Sequence, residues 1–457
     1  MPASDSPAII VARYLRANGL NESYDAFIAE AGLPADAGTV GKGDLTLEVL
    51  LEEKKAFDLS PQFEKLAADD GEKGWTEPSP STVTEIDSLP SSSNILQVAI
   101  APVKYQNELR SLLLVSTADR RLSVLDGQSA ELRMSWTTIQ DAPILSTVPF
   151  GDTHLLVSSM SGQLVLVDMT GQVVEKRRDH AKYVVQIAIS QDTDHPLIAT
   201  AGWDNRVNIY TPSLDTLPKI GEPTASITLP TKPESILFLR HPNTDEPILV
   251  LSRTDSSHLH YYTTSSPPRY LGRQNLAPHS NAWVSFTPSS MAICPTDPTL
   301  VAVATSAVPS MKLLIARLLI PSWEGEPILP NAELVTLRTS LLDDNPNASG
   351  TQASQARAAL LVADREHAAI LIHCTTLAPQ TAYSTPAVAW RPDGSGVWVN
   401  GDDGVIRGIE VSTGKIVATL KGHEPGSKVR CLWAGEVEGK EVLVSGGFDQ
   451  KLIRWEV

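Results

Sequence analysis

The stretch SGGFDQKLIRWEV, residues 445–457, joins an apolar run that precedes it (Val442, Leu443, Val444) to a second one (Leu452, Ile453, Trp455) through a short polar turn. Two β-prone runs separated by a glycine- and aspartate-bearing turn read as an antiparallel hairpin. Upstream the same form recurs: LLLVSTADRRLSVLD (112–126), HLLVSSMSGQLVLVD (154–168), PLIATAGWDNRVNIY (196–210), PILVLSRTDSSHLHYY (247–262) and GVWVNGDDGVIRGIE (396–410). Two looser copies lie at TLVAVATSAVPSMKLLIARL (299–318) and AALLVADREHAAILIHC (358–374). Each is an apolar strand, a small or hydroxyl residue, a turn, and a second strand.

Neighbouring copies start about 40–55 residues apart, the interval of four-stranded propeller blades. Residues 95–457 therefore read as a β-propeller, with eight blades favoured on the count of hairpins and seven as the alternative. The stretch LLDDNPNASGTQASQ (341–355) reads as a surface loop. The final hairpin supplies the second and third strands of its blade, so the outer strand must come from elsewhere. STVTEIDSL (81–89), just ahead of the first blade, is the candidate, and it would fasten the two ends of the ring together.

In the last copy Gly422-His423, Ser445, Asp449 and Trp455-Glu456 stand at the spacing of a WD repeat, and the region resembles that family. The resemblance implies a buried tetrad in which Trp, Ser, His and Asp side chains satisfy one another inside the blade. His180, Thr200, Asp204 and Tyr210 hold the corresponding places in the third copy. Elsewhere only a turn residue is kept, as at Asp119, Asp255 and Asp403.

The N-terminal residues have a different grammar. In SPAIIVARYLRANGLNESYDAFIAEAGL (6–33), Ser6 and Pro7 open one helix and Gly19 closes it, Asn21 is placed to cap a second, and Gly32 with Pro34 ends that one. Apolar residues recur at three-and-four spacing on both. Ile10, Tyr14-Leu15, Gly19-Leu20, Ser23, Phe27 and Glu30 resemble the LisH motif. That resemblance implies a four-helix homodimer with Ile10, Tyr14, Leu15, Leu20 and Phe27 inside. Residues 1–40 are then a dimerisation motif, 41–68 a short helical extension, and 69–94, rich in Ser and Pro, a linker that includes the candidate closing strand.

Composition narrows the function. Lys and Arg number 37 against 53 Asp and Glu, a net charge of −16, which argues against nucleic acid or an anionic membrane as partner and for proteins. Three widely spaced cysteines fit a reducing compartment, so a cytoplasmic or nuclear location is expected. No phosphate-binding loop, nucleophile elbow or metal-binding helix motif occurs. His258 and His260 share a strand face but have no further ligand at metal spacing, and no cofactor or metal is expected. Trp203-Asp204-Asn205-Arg206 resembles the W-D-x-R signature of ubiquitin-ligase substrate receptors, although Tyr210, not Trp203, holds the strand-closing place. The expectation is a non-enzymatic scaffold that pairs through its helices and docks proteins on its propeller. A ubiquitin-ligase subunit is the alternative, and a propeller enzyme the remote one.

Overall fold

The computed structural model describes residues 7–34, 36–39, 46–47, 74–106, 108–190, 195–213, 218–278, 286–323 and 360–457. The chain divides into two compact units, Met1–Glu72 and Lys73–Val457.

In the first unit, α1 (Pro7–Ala17) and α2 (Asn21–Ala31) pack together. Gly19 and Gly32 adopt φ of +70° and +62°, left-handed values that end a helix at no steric cost only in glycine. Asn21 is not the cap: it is the first helical residue, and Leu20 holds the cap position without a side-chain bond. Ile9, Ile10, Ala12 and Tyr24 are buried. Tyr24 accepts the Gly38 amide at 3.3 Å, and a methyl group at Gly38 would lie 2.6 Å from the Tyr24 ring, so the turn after α2 can approach only there. Ser6 and, apart from Thr46 and Leu47, the expected extension at 41–68 lie outside the described residues.

The second unit is seven four-stranded antiparallel sheets among the described residues. Their innermost strands are Ile95–Tyr105, Ile144–Phe150, Val184–Ile189, Pro233–Arg240, Thr287–Ile293, Val388–Trp390 and Val429–Val437. Each contacts its neighbours in the series, and the first contacts the last, so they ring a common axis. Seven apolar clusters fill the seven seams. One joins Leu125 and Val115 of blade one to Val442, Val444 and Leu452 of blade seven; another joins Trp398 and Ile406 of blade six to Leu443, Ile453 and Trp455. Middle strands such as Leu164–Asp168 are buried on both faces, which is why they read as continuous apolar runs.

The eight-blade reading is corrected to seven. The two loose copies at 299–318 and 358–374 are parts of one blade. The first forms its second and third strands, Leu300–Ser306 and Ser310–Arg317; in the second copy residues 360–368 are helical and Ile370–Pro379 is the same blade's outer strand. Alanine, leucine and glutamate in AALLVADREHAA favour a helix, so the apolar residues there are not a strand. The expected loop at 341–355 lies outside the described residues.

Blade seven takes its outer strand from the front of the unit. Thr82–Glu85 pairs antiparallel with Leu452–Glu456, with Val83 opposite Trp455 and Thr82 opposite Glu456. The segment just before it is not a free tether. Trp75 lies against Trp398 with ring centroids 5.2 Å apart, over Gly396 and Gly408; a methyl group at Gly408 would sit 2.5 Å from the Trp75 ring. Arg391, 1% exposed, forks onto Glu441 at 2.9 and 2.7 Å, donates to the Thr76 carbonyl at 2.7 Å, and stacks 4.4 Å above Trp75.

Candidate functional site

The polar groups gathered where the turns meet the strands make up the site the sequence singled out. In blade seven, His423 Nδ1 bonds both oxygens of Asp449 (3.1 and 2.9 Å) while its Nε2 bonds Ser445 Oγ at 2.8 Å. The Trp455 indole donates to the same Ser445 oxygen at 2.9 Å. Asp449 also accepts the Glu424 amide at 2.9 Å, so one carboxylate holds both the imidazole and the incoming loop. Burial holds the His423 ring below the usual histidine range, with Asp449 opposing that shift. A neutral ring with one protonated nitrogen suits a donor to carboxylate on one side and a hydroxyl on the other. Asp449→Ala is expected to cost about 1–3 kcal/mol, because His423 and the Glu424 amide would lose their acceptor. Urea unfolding measures this; an unchanged midpoint would show the network to be idle.

Blade three repeats the pattern with different chemistry. His180 Nδ1 bonds Asp204 at 2.9 Å, and Nε2 bonds Thr200 Oγ1 at 2.8 Å. The Tyr210 hydroxyl donates to Asp179 at 3.2 Å, and Asp179 is itself forked by Arg177. Asn208 approaches His180 Nε2 at 3.2 Å. The two networks sit in different blades and do not converge. Of the residual turn aspartates, Asp119 accepts from Thr117 and Ser91, and Asp403 pairs with Arg407 at 2.6 Å.

Trp203 stacks on Tyr183, with centroids 5.3 Å apart and planes at 24°, and Lys232 lies 4.8 Å above it. It sits on the turn ahead of Asp204, away from the strand-closing place. This turn-bearing face also exposes Tyr183, Val308, Tyr383 (88%) and Phe448.

His258 and His260 are on the third strand of blade four, with ring centroids 6.1 Å apart. His260 Nε2 is engaged by Ser256 Oγ at 3.1 Å, and Tyr270 lies on its other side. Burial, with Arg273 and Arg253 adding repulsion, pushes His258 down to about 4. Burial, then Arg253, His258 and Arg273, takes His260 to about 3. In the unfolded chain both titrate near 6.5. The fold therefore binds fewer protons between these values: the stability from neutral rings is complete above about pH 6.5 and is lost as pH falls toward 4. Urea midpoints at pH 7.5, 6 and 5 are expected to fall in that order, and His260→Asn to flatten the decline. Among the described residues no group of three His, Cys, Asp or Glu side chains is arranged to hold a metal. No helix among them is long and apolar enough to cross a membrane.

The predicted helix residues are distributed unevenly. Ile10 is buried within the unit, Tyr14, Leu15 and Phe27 are partly buried, and Leu20 is 45% exposed.

Sequence reasoning missed Trp75 and Arg391. A lone tryptophan in the polar run GEKGWTEPSPS was the available signal, together with Gly408 inside an apolar strand, where a missing side chain marks close approach.

A search of curated proteins finds no match. The sequence does match the family described as UCP007778, beta-propeller domain, from residue 84 to residue 456, a span that begins inside the closing strand Thr82–Glu85 and runs through the other strands of all seven blades. The chain belongs to this beta-propeller domain family.

Proposed function

We propose that the protein is a non-enzymatic scaffold of the WD-repeat kind, with a LisH-type helix pair that joins two chains and a propeller that docks protein partners. The observation that carries this reading is the turn-bearing face, where Tyr183, Val308, Tyr383 and Phe448 are exposed, Tyr183 and Phe448 beside the His180 and His423 networks and Tyr383 on a loop held by Ser384 and Asp402. Aromatic side chains are enriched in protein interfaces, and loops held on a rigid frame bind without much ordering cost. Pairing of chains would make docking bivalent and raise apparent affinity through effective concentration.

Leu20 and the partly covered Tyr14, Leu15 and Phe27 would form the pairing surface. Light scattering at micromolar concentration is expected to give a dimer mass, and Leu20→Asp with Phe27→Ala a monomer. A monomeric wild type would remove the pairing half of the proposal. For docking, affinity capture followed by mass spectrometry is expected to lose partners from the Tyr183→Ala, Tyr383→Ala, Phe448→Ala triple variant. Partners retained in full would place the docking surface elsewhere or nowhere.

A further inference from the structure

Six of the seven innermost strands carry the same irregularity near their start: one residue is skipped in the pairing with the second strand. The skipped residues are Leu96, Leu145, Val185, Glu234, Ser289 and Arg430. A bulge leaves its extra residue unpaired and re-aims its side chain. In blade seven, Val429 packs into the seam with blade six and Cys431 into the seam with blade one. In blade four, the Ile236 amide bonds Gln186 of blade three, while Ser235 Oγ accepts the Met291 amide of blade five. With both seams filled by the neighbours, Arg430 and Glu234 are left to the axis, at one level of the ring by the repeat.

These two side chains carry opposite charges, are partly buried, and make no hydrogen bond or ion pair among the described residues. They do not meet each other, because blades four and seven stand on opposite sides of the ring; between them blades one and two present Leu96 and Leu145, while Val185 of blade three packs against the seam with blade four. Burial pushes the Glu234 carboxyl up to about 7, against the pull of Lys232, and lowers Arg430. A desolvated guanidinium cannot shed its proton, so its cost stands until an oxyanion pairs with it.

We infer that the mouth of the central channel is a binding site for a zwitterionic ligand, a short peptide with free ends, whose carboxylate pairs with Arg430 and whose ammonium pairs with Glu234. The apolar side chains of Leu96 and Leu145 take the aliphatic side chains between them. Arginine meets a carboxylate in a two-bond fork. Glutamate at this site regains its charge when a cation arrives. Neither pairing requires the N-terminal helices, so the site stands apart from the scaffold reading.

The test is calorimetric titration of the full chain with di-, tri- and tetraleucine, each with free ends, with an amidated carboxylate, or with an acetylated amine. One length is expected to bind in the micromolar range, and blocking either end to weaken it at least tenfold. Arg430→Gln should weaken the free peptide tenfold or more yet leave the amidated peptide unaffected; Glu234→Gln should do the same with respect to the acetylated one. Melting temperatures of both variants check that the ring stays folded, and the blocked peptides test the wild type whatever those variants do. No binding by any length at millimolar peptide overturns the site. Binding insensitive to end-blocking overturns the charge pairing.

Discussion

Arg391→Ala is expected to lower the unfolding free energy of the propeller by about 3–5 kcal/mol, the usual cost of leaving one member of a buried ion pair alone. The side chain is 1% exposed and Glu441 has no alternative cation within reach of its fork among the described ion pairs. The loss is larger than one pair, because the same guanidinium donates to the Thr76 carbonyl and to Ser395 and covers the Trp75 ring. It thereby joins three pieces distant in sequence: the entering segment, blade six and blade seven. Arg391→Lys keeps the charge but not the planar fork, and is expected to recover less than half of the loss. Urea unfolding followed by tryptophan fluorescence reads both variants. A double-mutant cycle with Trp75→Ala should show coupling above about 0.5 kcal/mol, the mark of contacting residues. A loss under about 1 kcal/mol for Arg391→Ala would mean that the clasp is ornamental to the ring.

Removal of Trp455–Val457 is expected to abolish cooperative unfolding of the whole ring. Trp455 is 1% exposed and fills the seam between blades six and seven, and truncation of a buried tryptophan to alanine alone costs about 3–5 kcal/mol. The deletion also takes the indole N–H that donates to Ser445 and the residues that face Thr82 and Val83 across the closing pair. Once that pair is lost, Thr82–Glu85 has no strand to pair with and what remains of Leu452–Glu456 becomes an exposed edge in place of a covered one. Trp455→Ala is the milder companion: it should stay folded, with faster amide exchange at Thr82–Glu85 than in blade two. Equal protection at both places would show that closure does not depend on this residue.

The local grammar of the chain was legible wherever neighbours in sequence are neighbours in space. Ser445, Asp449 and Trp455 lie within one hairpin, and the histidine that completes their network is on the loop just ahead of the same blade. The glycines that end the two helices were legible for the same reason, since a left-handed residue is a local demand. Blade number was not, because a helix and a strand can both read as an apolar run; residues 360–379 read as a hairpin, while the structure has a helix followed by an outer strand.

By itself the sequence determined the repeating strand-turn-strand unit, the propeller class and the closure of the last blade by a strand from the front, because alternation, turn residues and hairpin spacing act over a few residues. Only the tertiary structure decided the count of seven, the burial of Arg391 under Trp75, and the separation of the partly buried Glu234 and Arg430 into blades four and seven. Those depend on residues brought together across more than 150 positions of chain, as Trp75 is to Glu410 and Arg391 to Thr76. Packing between blades, which no local pattern encodes, sets which unlike charges meet and which are kept apart.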